Sequence, residues 1–173
     1  MSLNSFEDLI IMKLKDLYSA EQQFAQAQPQ MVEATSDEEL RTALEGHIAV
    51  TKEQIERLEQ IADILGVTLE GEVCDAAAGL IKEGQKIMQE EGDPFVKDAA
   101  LLAAAQAIEH YEIAGYGTAS AYARRLKQQD INTLLQQTLA EERGADTLLT
   151  EVAETSINKQ AVSYAIHAVE AHF

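Results

Sequence analysis

Apolar residues recur along this chain at the three- and four-residue spacing of amphipathic helices. In several places a glutamate breaks the recurrence at its centre. A helix is predicted over residues 5–33, with an inward stripe of Ile10, Leu14, Leu17, Glu21, Phe24, Gln28 and Met31. A second helix follows Ser36 and runs to residue 65 on Leu40, Leu44, His47, Thr51, Ile55, Leu58, Ala62 and Leu65. Residues 73–90 carry a shorter, weaker pattern interrupted by Gly79 and Gly84, read as part of a crossover packed outside the core. A long helix over 94–128 presents Leu102, Ala105, Glu109, Glu112, Tyr116 and Ala119. Another over 131–154 presents Ile131, Leu135, Thr138, Glu142, Ala145, Leu149, Val152 and Ser156, and a last short helix is predicted over 156–173.

Punctuation supports this division. Asn4 or Ser5 can cap the first helix, with Glu7 and Asp8 in its first turn, where the dipole favours acids. Pro29 falls inside the pattern and is expected to kink that helix or end it early. Ser36 and Glu39 read as a capping box, and Gly66 as a C-terminal stop. Asp93-Pro94 restarts the chain as N-cap and first helical position, and Gln129-Asp130 is read as a tight connection. Two long helical hairpins joined by a crossover predict an all-α, ferritin-like four-helix bundle, with residues 1–173 as one domain, a short crossover helix and a short C-terminal helix. A loose duplication agrees: Val50 follows Glu21 by 29 positions, and Glu142 follows Glu112 by 30.

Composition narrows the picture. Only 2 Pro and 9 Gly occur in 173 residues, which favours helix throughout. No apolar run reaches the roughly 18 residues of a membrane span. The formal net charge of −17 argues against nucleic acid or an anionic membrane as partner. The N-terminus shows no basic-then-apolar signal, and the single Cys74 allows no internal disulfide, so a cytoplasmic protein is expected.

The carboxylates carry the chemistry. Glu21, Glu109, Glu112 and Glu142 interrupt apolar stripes on three helices, each around mid-length. An ionised carboxylate buried alone costs several kcal/mol or more, so these groups need a cation, a proton or donors. Antiparallel packing brings them to one level, where a pair of iron or manganese ions is one solution. The other is a proton-sharing polar core with raised carboxylate pKa values. Asp146, one turn after Glu142, is a candidate ligand or acceptor, and His47 and Gln54 are candidates to complete the site from the second helix. Tyr116 is placed to hydrogen-bond a site carboxylate. Lys13, Arg57, Arg124, Arg125 and Arg143 fall off the stripe centres, so cationic partners are few. Glu53 should face solvent, roughly 160° from its stripe.

The segments DLYSAEQQ (16–23), HIAVTKEQIERLEQI (47–61), QAIEHYEIAGYGT (106–118) and TLAEERGADTLL (138–149) resemble the YciE/YciF family of ferritin-like bacterial stress proteins. The resemblance implies a ferritin-like bundle, a homodimer, and a dinuclear metal site in a stress-induced protein. It extends to Glu21, Glu109, Glu112, Glu142 and Asp146. Glu21 and Asp146 would be terminal ligands, Glu112 and Glu142 bridges, and Glu109 would fill an adjacent position with His47 variable. The second helix departs from the family pattern: both acids of the family's HLEET are replaced, by Ala49 and Val50. The site is therefore expected to lack a carboxylate. Two functions follow: oxidation of ferrous iron or removal of peroxide at the metal, or a non-enzymatic stress protein with a degenerate site acting through protein association.

Overall fold

The computed structural model describes residues 3–163. Five α-helices follow one another: α1 (Phe6–Ala34), α2 (Glu38–Leu65), α3 (Asp75–Gln89), α4 (Pro94–Arg125) and α5 (Gln129–Val152). The four long ones form the bundle. α1 packs on α2, α2 on α5, α5 on α4 and α4 on α1, which closes a ring; α3 lies outside against α1 and α4. The all-α bundle, the external crossover helix and the order of long and short elements agree with the stripe periodicity.

Local chemistry explains most boundaries. Ser5 caps α1 reciprocally with Asp8: the Asp8 N–H donates to the Ser5 hydroxyl at 3.0 Å, and the Ser5 N–H to the Asp8 carboxylate at 2.9 Å. Gly66 ends α2 in the left-handed region at φ 65°. Asp93 caps α4, with Pro94 at its first position.

Several expectations need correction. The cap of α2 is Asp37, whose side chain accepts from the N–H groups of Glu39 and Leu40, and not Ser36. The Ser36 and Asp37 N–H groups are instead claimed by the buried carboxylate of Asp98 on α4, at 2.9 and 2.7 Å. Pro29 neither ends nor shortens α1, which continues through it to Ala34. Pro29 itself is exposed, while Phe24 and Met31 on either side are buried and anchor the helix. α3 likewise runs unbroken through Gly79 and Gly84. The α4–α5 reversal occupies residues 126–128, earlier than Gln129-Asp130. Lys127 takes φ 59° there, and the Gln128 N–H returns to the Ala123 carbonyl at 2.9 Å, a left-handed helix end without glycine. α5 does not stop before a separate helix. It passes through a widened π-helical turn, Ala153–Ile157, and helix continues over 158–163. The rest of the predicted C-terminal helix lies outside the described residues.

The core holds two apolar layers within the bundle and a third cluster, Ala20, Phe24, Cys74, Ala77 and Ile108, beneath α3. One layer contains Ile10, Leu14, Leu17, Leu58, Ile61, Ile131 and Leu135 with Tyr116. The other contains Met31, Leu40, Leu44, Leu101, Leu102, Leu149 and Val152. Between them, at mid-height, the inward positions are polar. α1 and α4 approach closely near this level: a Cβ on Gly115 would lie 2.6 Å from Leu17 Cδ2. Among the described residues no helix is long and apolar enough to cross a membrane.

Candidate metal centre

The polar level is built by the stripe positions that glutamate interrupts. Glu21 of α1, Glu109 and Glu112 of α4 and Glu142 of α5 are all buried, Glu21 and Glu142 completely. α2 adds His47, Gln54 and Arg57. One ligand atom each from His47, Glu109, Glu112 and Glu142 lies within 4.8 Å of all the others, so these four could hold a metal ion. His47 Nε2 is 3.5 Å from Glu109 Oε1 and 3.8 Å from Glu142 Oε2. A buried oxygen on each of Glu21, Glu109, Glu112 and Glu142 has no hydrogen-bond partner, nor does His47 Nε2. Native interiors rarely leave such groups unsatisfied, so this donor set fits a cation that prefers oxygen with one imidazole.

Electrostatics in the metal-free chain follow from burial. Desolvation raises the pKa of all four carboxyls, most for Glu112 and Glu109, and the neighbouring carboxylates raise these two further. Glu109 pairs with Glu142, and Glu112 with Glu21; a proton shared within each pair raises Glu109 and Glu112 and lowers their partners. Burial pushes His47 down to about 4, so its contacts with Glu109 and Glu142 are not ion pairs at neutral pH. A neutral imidazole with a free nitrogen lone pair is the form that binds metal.

A ring of donors steadies the carboxylates. The Tyr116 hydroxyl donates to Glu21 Oε1 at 2.5 Å. The Gln54 amide donates to Glu142 Oε1, and to Glu141 Oε2 at 3.3 Å. The Arg57 guanidinium, whose side chain is only 8% exposed, grips both Glu141 oxygens at 2.8 and 3.0 Å and the Thr138 hydroxyl at 2.5 Å. The proximity of its charge favours ionised Glu21 and Glu142.

The predicted residues thus separate into places. His47, Glu109, Glu112 and Glu142 converge. Glu21 sits beside them, outside the convergent four and turned toward Tyr116. Asp146 stands farther out, 3.0 Å from His110 Nε2 and accepting from Gln106 Nε2 at 3.1 Å. Val50 lines a groove between α2 and α5, and the α2 side chains that face Glu142 are His47 and Gln54. That groove, about 740 Å³, is walled by Ala43, Gly46, Val50, Gly144 and Ala145 and reaches His47. Glu53 is exposed, as its angle on the helix requires. Arg57 is the residue the stripe reading missed. Its Cα lies off the stripe centre, but its long side chain reaches inward, and only its position one turn after Gln54 hinted at this.

Comparison with known proteins agrees with this fold. The chain is 40% identical to Protein YciF of Escherichia coli strain K12 over 162 residues, covering 93% of this chain and 98% of that one. The crystal structure of the E. coli stress protein YciF superposes with a TM-score of 0.87 at 39% identity, over 90% of this chain and 99% of that one. YcfI from Rhodopseudomonas palustris superposes with a TM-score of 0.84 at 44% identity, over 86% and 95% of the two chains. A Xanthomonas campestris protein at 18% identity shares the fold, with a TM-score of 0.71 over 96% and 99%. Residues 5–162 match the family described as a domain of unknown function, DUF892. The chain belongs to this family of YciF-like stress proteins.

Proposed function

We propose that this protein is a ferritin-like stress protein that binds iron or manganese at mid-bundle through His47, Glu109, Glu112 and Glu142. The observation that carries this reading is the convergence of four buried ligand atoms within 4.8 Å, with an oxygen left unpartnered on each carboxylate. Bound iron would supply electrons to dioxygen or peroxide, consuming ferrous iron and oxidant together. The chain's own residues do the rest. Glu109 and Glu112 release their protons to become ligands, and His47 presents a neutral nitrogen. Tyr116 and Gln54 hold Glu21 and Glu142 in place. The apolar layers exclude bulk water, and the α2–α5 groove leads small molecules toward His47.

The test is elemental analysis of protein purified without chelator and reconstituted anaerobically with ferrous iron or Mn²⁺. Bound metal in the wild type and its loss in Glu112→Ala, with helicity unchanged, are expected. Oxidation of bound iron is then followed by absorbance on admitting oxygen or peroxide. Wild-type protein that retains no ion would sink the reading. A second reading would then stand, for which the two proton-sharing carboxyl pairs speak: a polar core serving structure, in a protein that acts by association. We also read the protein as a homodimer; a light-scattering mass of one 19.0 kDa chain would remove that.

A further inference from the structure

We propose that the centre holds a single divalent cation per chain, on the side of the cluster facing His47, and that Gln54 and Arg57 fill the half where a second ion would sit. This rests on the preceding reading that the centre binds metal. Among the described residues, only one group of three or more ligand side chains converges, and it contains His47, Glu109, Glu112 and Glu142 but not Glu21. A second ion would need oxygens of Glu21, Glu112 and Glu142 that point away from His47. Two of these carboxylates already turn one oxygen to a protein donor: Glu21 Oε1 accepts from Tyr116, and Glu142 Oε1 accepts from Gln54.

Gln54 is the decisive side chain. Its amide nitrogen faces carboxylate oxygens of both Glu141 and Glu142. The opposite amide orientation would set oxygen against oxygen, so the donor end is the one inside. N–H protons aimed at those oxygens occupy the direction from which a cation would approach. Behind Gln54, the buried Arg57 guanidinium adds a fixed positive charge that repels a second dication, and its Glu141 clamp keeps it there.

Mn²⁺ equilibrium dialysis of the full chain with elemental analysis, read together with electron paramagnetic resonance, tests this. One Mn²⁺ per chain with the hyperfine pattern of an isolated ion is expected. Two per chain with an exchange-coupled spectrum would overturn the inference and leave the metal-binding reading intact. No bound Mn²⁺ would overturn both. Gln54→Glu, which swaps the amide for a carboxylate of equal size, should raise the count to two; a folded variant that stays at one overturns the assigned role of Gln54. Glu109→Gln should weaken Mn²⁺ binding more than about tenfold and Glu21→Gln less than about threefold, since only the first is a direct ligand. The reverse ranking overturns the placement of the ion.

Discussion

Arg57 and Tyr116 show how single side chains make a carboxylate-rich interior tolerable. Arg57 pairs with Glu141, about a quarter of whose side chain is exposed, and donates to Thr138 besides. Arg57→Met keeps much of the stem packing but leaves Glu141 without its cation and Thr138 without its donor. Breaking a buried pair from one side costs about 3–5 kcal/mol, and partial exposure of Glu141 puts this case near the lower end. Urea unfolding of the metal-free protein should show a loss of about 3 kcal/mol; a loss under about 1 kcal/mol would mean water already screens the pair. Tyr116 is fully buried in the apolar layer next to the centre, with only its hydroxyl turned to Glu21. Tyr116→Phe keeps the ring and removes the donor, and should cost about 1–3 kcal/mol by the same measurement. Helical periodicity reveals one of these roles and not the other. Tyr116 sits on its stripe and was readable as a hydrogen-bond donor to the site. Arg57 lies off its stripe, and side-chain reach, not Cα angle, carries it inside.

At the scale of elements, the ends of the helices are fixed partly by distant residues. Asp98 in the first turns of α4 holds the Ser36 and Asp37 N–H groups, which ties the α1–α2 turn to the opposite hairpin. Asp98→Ala leaves two backbone donors without their acceptor, and charged hydrogen bonds are worth about 1.5–3 kcal/mol each. A loss of at least about 3 kcal/mol, with faster hydrogen exchange at residues 36–40, is the expected result. A local capping effect alone would cost about 1 kcal/mol. Sequence could not reveal this link, because Ser36 and Glu39 form a plausible box by themselves and Asp98 lies about 60 residues away. Pro29 presents the opposite case: its local penalty was legible, and its outcome was not. α1 tolerates it because buried Phe24 and Met31 hold the helix on both sides. Pro29→Ala at this exposed position restores the missing backbone donor and should stabilise the protein by about 1–3 kcal/mol in chemical denaturation.

For the whole molecule, the polar level between two apolar layers links stability to pH and to metal. Burial raises Glu142 to about 7, Glu21 to about 8 and Glu109 to about 10, so the folded chain keeps protons that the unfolded chain releases near 4.5. Their stabilisation is complete below that unfolded value and is lost as pH rises through the folded ones. His47 acts in the other sense: lowered from 6.5 to about 4, it favours the folded state increasingly as pH rises between those values and adds no slope above them. Between about pH 6.5 and about pH 8 only the carboxyls remain, and the metal-free protein should lose about 3 kcal/mol per pH unit, since at least two protons are kept on folding at about 1.4 kcal/mol each. Saturating Mn²⁺ replaces the protons and should abolish the decline, while adding about 2.7 kcal/mol at a hundredfold excess over Kd. Urea titrations at both pH values, with and without Mn²⁺, provide the check; a metal-free protein that gains stability over this range would contradict the proton-sharing pairs.

The sequence by itself determined the helices, their apolar faces and the all-α bundle, because the three- and four-residue spacing of Leu, Ile and Ala admits one way of burying those faces. It also singled out Glu21, Glu109, Glu112 and Glu142, since a carboxylate at a stripe centre has no inexpensive alternative to sharing a partner. Only the tertiary structure decided which of these carboxylates meet. It set Glu21 toward Tyr116, took Asp146 out to His110, and placed Gln54 and Arg57, not Val50, against the centre from α2. Periodicity records a residue's angle on its own helix. The distances between side chains on different helices depend on the offsets and separations of the bundle, to which every helix contributes at once.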